Sequence, residues 1–239
     1  MGFKGFVIDS IKYTIQNKMN FLVFGLLLIV IAFVPGDFSD INFSNLIISL
    51  PLTIIGFFLL IIQGGYLTKV LIDFVKGSDT IPPFKDIFFY IKEGIKDLVL
   101  GMYYILIPLI ILMIFTEIPE KVLGDFLYIV LALLLIVSGY LVLLMVQTAV
   151  LYSVIEGYKK AFNMIYIFKK SREIGFKRLN LVLILSILIF GVVSSIVVAN
   201  NDIVMSIIFV IIGFILYPTL AIMDVRYLGL IGRDIVNKK

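Results

Sequence analysis

Six long apolar runs, none of which contains Asp, Glu, Lys or Arg, constrain this chain more than any other feature. A hydrocarbon core about 30 Å thick needs about 20 helical residues to cross it, and only helices or closed barrels satisfy their backbone there. Because the runs are continuous rather than alternating, the sequence predicts helices: an all-α, polytopic transmembrane bundle. The six predicted spans are Phe21 to Val34, Leu46 to Gly65, Leu98 to Phe115, Phe126 to Val146, Leu179 to Ala199 and Ile203 to Met223. The first is the shortest, and we expect flanking residues to extend its helix so that it can cross the membrane.

The composition of the chain points to a membrane protein and excludes several kinds of catalytic and metal site. Hydrophobic residues make up 62% of the chain, against about 45 to 50% in soluble domains. The chain has no Cys, no His and no Trp, so disulfides, imidazole acid-base chemistry and the usual zinc and haem sites are excluded. We therefore expect no catalytic, cofactor-binding or metal-binding residues, no cofactor, and a protein that is not an enzyme.

Basic residues are distributed unequally between the two sides of the predicted spans. Of the 20 Lys and Arg residues, 19 fall on one side and only Lys121 on the other. The positive-inside rule then places both termini, and the long connections Tyr66 to Asp97 and Val150 to Arg178, in the cytoplasm. We expect a multi-pass protein of the cell membrane. Nucleic acid is not an expected partner, because the basic residues lie beside the spans rather than on a binding motif.

The spans also form a repeating pattern. Three times, a charged cytoplasmic stretch leads into an outgoing span, a short acidic turn and a returning span that ends in polar residues. We predict one integral membrane domain, residues 1–239, made of three tandem helical hairpins with possible repeats at 1–80, 81–160 and 161–239. Any chain of apolar hairpins looks partly self-similar, which is the alternative. Three aligned pairs favour repetition: Gly56-Phe57, Gly139-Tyr140 and Gly213-Phe214.

Two cytoplasmic stretches are amphipathic or strongly basic. Before the third span, apolar residues recur at helical spacing from Phe84 to Leu98, while Lys85, Lys92 and Lys96 take the opposite face. This predicts a helix in the cytoplasmic interface that anchors the topology. The second long connection is expected to bind anionic lipid headgroups. Its basic residues are Lys159, Lys160, Lys169, Lys170, Arg172, Lys177 and Arg178.

Polar residues of the returning spans form the candidate functional site. They are Gln63, Gln147, Thr148 and Tyr217, followed by Asp224 and Arg226 at the cytoplasmic edge. They can act as hydrogen-bonding glue between helices, or they can line a lumen or ligand site. Asp224 and Arg226 are two residues apart and do not share a helix face, so each should pair with another element, and we expect Asp224 to pair with Lys69.

Helix-breaking residues within the spans have two interpretations. Pro51, Pro108 and Pro218 each remove a backbone donor and can kink a helix. Such kinks can frame a substrate site where a broken helix exposes its backbone, or they can be ordinary features of membrane helices. Gly64-Gly65 is expected to permit close helix packing or to end a helix, rather than to bind phosphate.

The segment GGYLTKVLIDFVKGSDTIPPFKDIFFYIKEGIKDLVLG resembles a known signature, in which a GYL turn and a basic residue precede a Gly, an L-P-x-F-x-D stretch and a G-x-K. The matching residues are Gly65, Tyr66, Leu67, Lys69, Gly77, Ile81, Pro82, Phe84, Asp86, Gly94 and Lys96. On these residues the chain resembles the largely archaeal, multi-pass membrane family called domain of unknown function 4013 (DUF4013). Two departures are Ile87, where the family often has Trp, and Lys69, where Arg is commoner. The resemblance implies a membrane helical bundle with no assigned activity.

The leading functional hypothesis is a non-enzymatic structural or assembly component of the membrane. It would act through its lipid-facing helices and a cytoplasmic surface that could bind a membrane or cytoplasmic protein. The alternative is a channel or uniporter for a small neutral or lipid-like solute, with the glutamines along the route. An intramembrane enzyme is disfavoured, because no His is present to activate a nucleophile.

Overall fold

The computed structural model describes residues 8, 10–14, 16, 25, 43–117, 120–198 and 203–238. Over these ranges the regular structure is entirely helical, and Ser10 to Thr14 are helical as well. The remaining helices are α1 (Phe43–Val75), α2 (Ile87–Glu117), α3 (Glu120–Ile155), α4 (Tyr158–Ala161), α5 (Met164–Ile174), α6 (Phe176–Val198) and α7 (Ile203–Val236). The first predicted span, Phe21 to Val34, lies outside the described residues except for Gly25.

Several of these helices have the length and composition of membrane spans. Four qualify singly, and α5 with the first part of α6 qualifies as a fifth, bent by 101° at its break. The four are Thr53–Val75, Ile87–Met113, Ile129–Ile155 and Ile211–Val236. The all-helical class and the multi-pass membrane character are therefore confirmed, with four or five candidate spans in the described part of the chain.

Helix ends extend further than the apolar runs. α1 continues past Gly65 to Val75, and α7 continues past Met223 to Val236. The sequence placed these ends where charged residues begin. Charge does not end α1, because Lys69 Nζ pairs with Asp73 Oδ1 at 2.8 Å, one helical turn further along. The predicted connection Tyr66 to Asp97 is thereby reduced to residues 76–86.

The amphipathic stretch before the third span is not a separate helix. α2 begins at Ile87, after Asp86 accepts a hydrogen bond from the backbone N–H of Phe89 at 3.0 Å, as a helix N-cap does. It then continues without a break through the third predicted span. Phe88, on the predicted apolar face, is 88% exposed, whereas Tyr90 is buried. Ile87, Ile95 and Leu98 are exposed as well, so most of the apolar stripe on α2 points away from the protein, as a lipid-facing surface would.

Prolines do not interrupt the helices. Pro51, Pro108 and Pro218 lie inside α1, α2 and α7, each of which is continuous across its proline. No break that could frame a substrate site occurs at these three positions.

The chain divides into two compact units. Unit 1 contains residues 1–95 and 184–239, and unit 2 contains residues 96–183. The divisions fall within α2 and α6, and they differ from the predicted repeat boundaries after residues 80 and 160.

Unit 1 is built on close approaches between helices. A Cβ placed on Gly65 would overlap the carbonyl oxygen of Tyr90, and one on Gly94 would overlap that of Ile61. α1 and α2 can therefore cross here only as glycine-lined surfaces, which confirms the packing expected for Gly64-Gly65. On the α7 side of α1, Gly229 lies against the ring of Phe74.

Unit 2 packs the end of α3 against the following helices. Leu144 of α3 is buried with Leu179 and Leu183 of α6. Further back along α3, side chains such as Ile129 and Ile136 are 58% and 65% exposed. An apolar surface of this kind requires lipid around it.

Replacing Gly94 by Ala should destabilise the protein, because the new methyl group meets backbone rather than a movable side chain. Overpacking of this type costs roughly 1–3 kcal/mol. The unfolding free energy, followed by circular dichroism in detergent, measures the effect.

Gly101→Ala on the same helix is the matched control, since a Cβ there meets nothing within 4 Å. Its stability should be unchanged or slightly raised, as Ala favours a helix over Gly. Equal destabilisation by both variants would contradict the crossing at Gly94.

Candidate functional site

Gln63 and Tyr217 link α1 to α7 inside unit 1. Gln63 Nε2 donates to the hydroxyl oxygen of Tyr217 at 2.5 Å, and both side chains are only 5% exposed. Gln63 Oε1 is buried, and no described residue gives it a hydrogen bond. This pair joins two helices and leaves one acceptor atom unused.

Asp224 faces α6. The hydroxyl of Ser186 donates to Asp224 Oδ2 at 3.4 Å, while Oδ1 is buried and has no partner within the described ranges. The predicted pair with Lys69 is wrong, because Lys69 bonds Asp73 on its own helix and lies 5.7 Å from the ring centroid of Phe89. An ion pair within one turn orders fewer residues than a pair formed across helices.

Arg226 packs between two aromatic rings. Its guanidinium carbon is 4.3 Å from the ring centroid of Tyr13 and 4.9 Å from that of Phe74, and the residue is 5% exposed. Such stacking stabilises a buried guanidinium. As predicted, Asp224 and Arg226 contact different elements.

Gln147 and Thr148 perform a similar role in unit 2. With its amide oriented to suit its neighbours, Gln147 donates to the carbonyl oxygen of Leu179 and accepts from the N–H of Leu183, both at 3.3 Å. Thr148 accepts a hydrogen bond of 2.9 Å from Ser171 of α5. The polar residues near the end of α3 thus attach α5 and α6 to it.

A feature that sequence reasoning missed is the way unit 1 holds residues 76–86, which we call the clamped connection. Tyr13 donates to the carbonyl oxygen of Thr80 at 3.1 Å, Tyr66 to that of Pro82 at 3.0 Å, and Tyr90 to that of Pro83 at 2.9 Å. All three tyrosines are at most 2% exposed. Hydroxyl groups from three elements therefore fix one short segment.

Arg233 of α7 completes the clamp. Its Nε donates to the carbonyl oxygen of Phe74 at 2.5 Å, and its Nη2 donates to that of Ser78 at 3.0 Å and to Asp79 Oδ1 at 2.9 Å. The guanidinium carbon also lies 4.0 Å from the ring centroid of Phe74. The carbonyl oxygen of Phe74 also accepts from the N–H of Gly77 at 3.0 Å. Arg233 thus adds a second hydrogen bond at the end of α1 and ties that end to the connection.

The Tyr13 hydroxyl keeps the proton that it donates in this network. Burial raises the pKa of Tyr13 to about 12, so its hydroxyl stays protonated and continues to donate near neutral pH.

The clamped connection presents its charged side chains to the outside of the protein. Lys76, Asp79, Lys85 and Asp86 are all exposed.

A sequence signal for the clamp existed in part. The chain has 12 Tyr and no Trp, and tyrosine prefers positions where one end is apolar and the other polar. Tyr66 and Pro82 also belong to the signature that carries the DUF4013 resemblance. What the sequence lacked was any indication of the acceptors, which are backbone carbonyls.

Unit 2 uses tyrosines in the same way. Tyr104 donates to the carbonyl oxygen of Ala161 at 2.6 Å, and Tyr158 donates to that of Lys96 at 2.8 Å. Tyr166 donates to Glu156 Oε2 at 2.6 Å, and Lys160 Nζ lies 3.1 Å from the same atom. The short helices α4 and α5 are thereby fixed onto their neighbours.

Comparison with known proteins adds no assignment. No family model, no curated protein and no solved structure matches the chain. Membership of DUF4013 therefore stays a prediction. Within the described ranges, no group of three or more His, Cys, Asp or Glu side chains could hold a metal ion.

Replacing Tyr66 and Tyr90 together by Phe should loosen the clamped connection, because two hydroxyl donors are lost while the rings remain. Amide hydrogen exchange of the peptide covering residues 76–86 should quicken by about tenfold or more, since each hydrogen bond contributes about 1 kcal/mol.

Tyr103→Phe is the control, because its ring contacts Tyr104 and Phe162 and no described residue forms a hydrogen bond with its hydroxyl. Exchange in residues 76–86 should not change in this variant. Unaltered exchange in the double variant would show that the hydroxyl groups do not hold the segment.

Proposed function

We propose that this chain is a non-enzymatic integral membrane protein that serves as a structural or assembly component through a fixed cytoplasmic surface. The clamped connection is the observation that carries the proposal. Three tyrosines and Arg233 hold it, yet its four charged side chains remain exposed.

Ordering such a segment is costly. Fixing one residue's backbone costs about 1–2 kcal/mol in conformational entropy. A connection that only joins two helices gains nothing from a fixed shape, whereas a surface that binds a partner gains affinity from preorganisation. Rigid presentation of a charged segment therefore supports a role in assembly.

The polar residues inside the helices support the same proposal. Gln63, Gln147 and Thr148 all bond to neighbouring helices, which is the behaviour of interhelical glue. The absence of Cys and His from the sequence also leaves few groups for catalysis. A non-enzymatic role requires only that these residues hold the helices together.

We further place the protein in the cell membrane with both termini and the clamped connection in the cytoplasm. The distribution of 19 basic residues against one supports this orientation. Membership of the DUF4013 family is proposed on the eleven residues from Gly65 to Lys96 that match its signature.

One observation favours a channel or uniporter as the second candidate. Gln63 Oε1 and Asp224 Oδ1 are buried acceptors that have no partner among the residues the structure describes. Buried polar atoms usually find partners, and a small neutral solute could supply one. The two candidates differ in whether Gln63 is needed for stability or for transport.

A cysteine at Lys85 should test both orientation and assembly, because the native chain has no Cys. Asn201 lies between the fifth and sixth predicted spans, on the side predicted to be outside. In intact cells, a membrane-impermeant thiol reagent should label Asn201→Cys but not Lys85→Cys, with the reverse in inverted membrane vesicles. A thiol-linked photocrosslinker at Lys85→Cys should yield a discrete heavier species in native membranes.

The matched control is Ile110→Cys in α2, whose side chain is 52% exposed on an apolar helix. It should crosslink to lipid and give no discrete protein adduct. Labelling of Lys85→Cys from outside would reverse the orientation, and identical adducts from both positions would remove the case for a cytoplasmic surface.

A double-mutant cycle on Gln63 and Tyr217 separates glue from transport. The single variants Gln63→Leu and Tyr217→Phe and their combination should give a coupling free energy of about 0.6–2 kcal/mol. Wild-type protein in vesicles should carry no flux of small neutral solutes.

Flux that the wild type supports and Gln63→Leu abolishes would instead establish the second candidate, provided that the variant stays folded. Coupling below experimental error would count against the glue interpretation even without flux.

A further inference from the structure

A basic surface lies where α5 meets α6 in unit 2, within the connection whose basic residues the sequence predicts to bind anionic lipid headgroups. Gly175 joins the two helices with φ 92° and ψ 129°, and the chain turns there by 101°. Glycine suits this position, because residues with a side chain rarely adopt a positive φ. If α6 crosses a membrane, α5 must lie close to the plane of its surface.

Exposed basic residues surround this turn. We call Lys169 and Arg172 of α5, together with Lys177 and Arg178 of α6, the basic corner; all four are exposed. From Tyr158 to Arg178 the chain has seven basic residues and one acidic residue, Glu173. Glu173 is already paired with Lys170 at 2.6 Å. Basic residues therefore outnumber acidic ones on this stretch by seven to one.

The position of α5 is fixed by its inner face. Ser171 donates to Thr148 Oγ1 at 2.9 Å, Tyr166 donates to Glu156 Oε2 at 2.6 Å, and Ile167 is fully buried. At the N-terminus of α5, Asn163 accepts from the N–H of Tyr166 at 3.0 Å. The helix cannot rotate about its axis without breaking these contacts, so its outer face is set.

That outer face mixes apolar and basic side chains. Ile165 is 72% exposed and Phe168 is 36% exposed, and Phe176 beyond the turn is 37% exposed. Apolar side chains next to Lys and Arg are the composition of a helix that lies in a membrane interface. The apolar groups suit the acyl boundary, and the cations suit the headgroup phosphates above it.

We propose that the basic corner binds the headgroups of anionic phospholipids, with α5 lying in the interface and Lys177 and Arg178 at the depth where α6 enters the bilayer. The proposal deepens the proposed function and rests on only one part of it, that α6 crosses a membrane. The observations that carry it are the right-angle turn, the charge and the fixed inner face of α5.

Lipid selectivity tests the proposal. The full-length protein is reconstituted in phosphatidylcholine vesicles, and spin-labelled phosphatidylglycerol or phosphatidylcholine is added as the probe. The motionally restricted fraction of each probe gives its relative association constant. Wild-type protein should prefer phosphatidylglycerol, and the preference should fall as salt is raised.

The variant Lys169→Gln/Arg172→Gln/Lys177→Gln/Arg178→Gln should lose most of the preference, at about fivefold per basic residue. Arg172→Lys/Arg178→Lys keeps the charge and should retain it. Lys76→Gln/Lys85→Gln, in the exposed clamped connection of unit 1, is a control for charge removal elsewhere and should also retain it. Circular dichroism confirms that each variant is folded.

Three outcomes would overturn the proposal: no preference in the wild type, an unchanged preference in the four-residue variant, or an equal loss in the Lys76/Lys85 control. None of these would affect the test of orientation and assembly at Lys85→Cys, so the two proposals can fail separately.

Discussion

The structure depends on one constraint: a polar group buried among apolar helices must find a partner, because neither lipid nor a hydrophobic core can solvate it. The described helices meet this constraint with few residue types. Tyrosine is the main one, since its ring packs among apolar side chains while its hydroxyl reaches a distant acceptor. Six tyrosines donate to backbone carbonyls or carboxylates outside their own helices. Within the described ranges, tyrosine hydroxyls thus link elements in both units.

Sequence reasoning succeeded where the physics is local. Continuous uncharged runs predicted helices of membrane length, and the described residues are helical there. It placed the ends of α1 and α7 too early because it treated charge as a boundary. A Lys69–Asp73 pair one turn apart lets α1 continue, and stacking of Arg226 on Tyr13 and Phe74 lets α7 do the same. Where a helix ends therefore depends on the partners that its charged side chains find, and hydropathy does not predict those partners.

In the candidate site, too, the sequence predicted the local features and missed the contacts between distant residues. The sequence identified Gln63 and Tyr217 as notable polar residues, but they are 154 positions apart and nothing local pairs them. The clamped connection was harder still, because its acceptors are the carbonyl oxygens of Thr80, Pro82 and Pro83. Every residue has a carbonyl, so no residue type marks the acceptor. A single sequence can name such donors and cannot name their partners.

Arg233 shows how these contacts couple elements that are far apart in sequence. It donates to the end of α1 and to the clamped connection, yet it belongs to α7, about 155 positions later in the chain. Gly229, one turn earlier on α7, lies against the same Phe74 ring on which Arg233 stacks. A small shift of α7 along α1 would therefore disturb the ring, the α1 terminus and the connection together. Because tightly packed interfaces move between discrete arrangements rather than deform continuously, the position of α7 sets the shape of the surface through which we propose this protein acts.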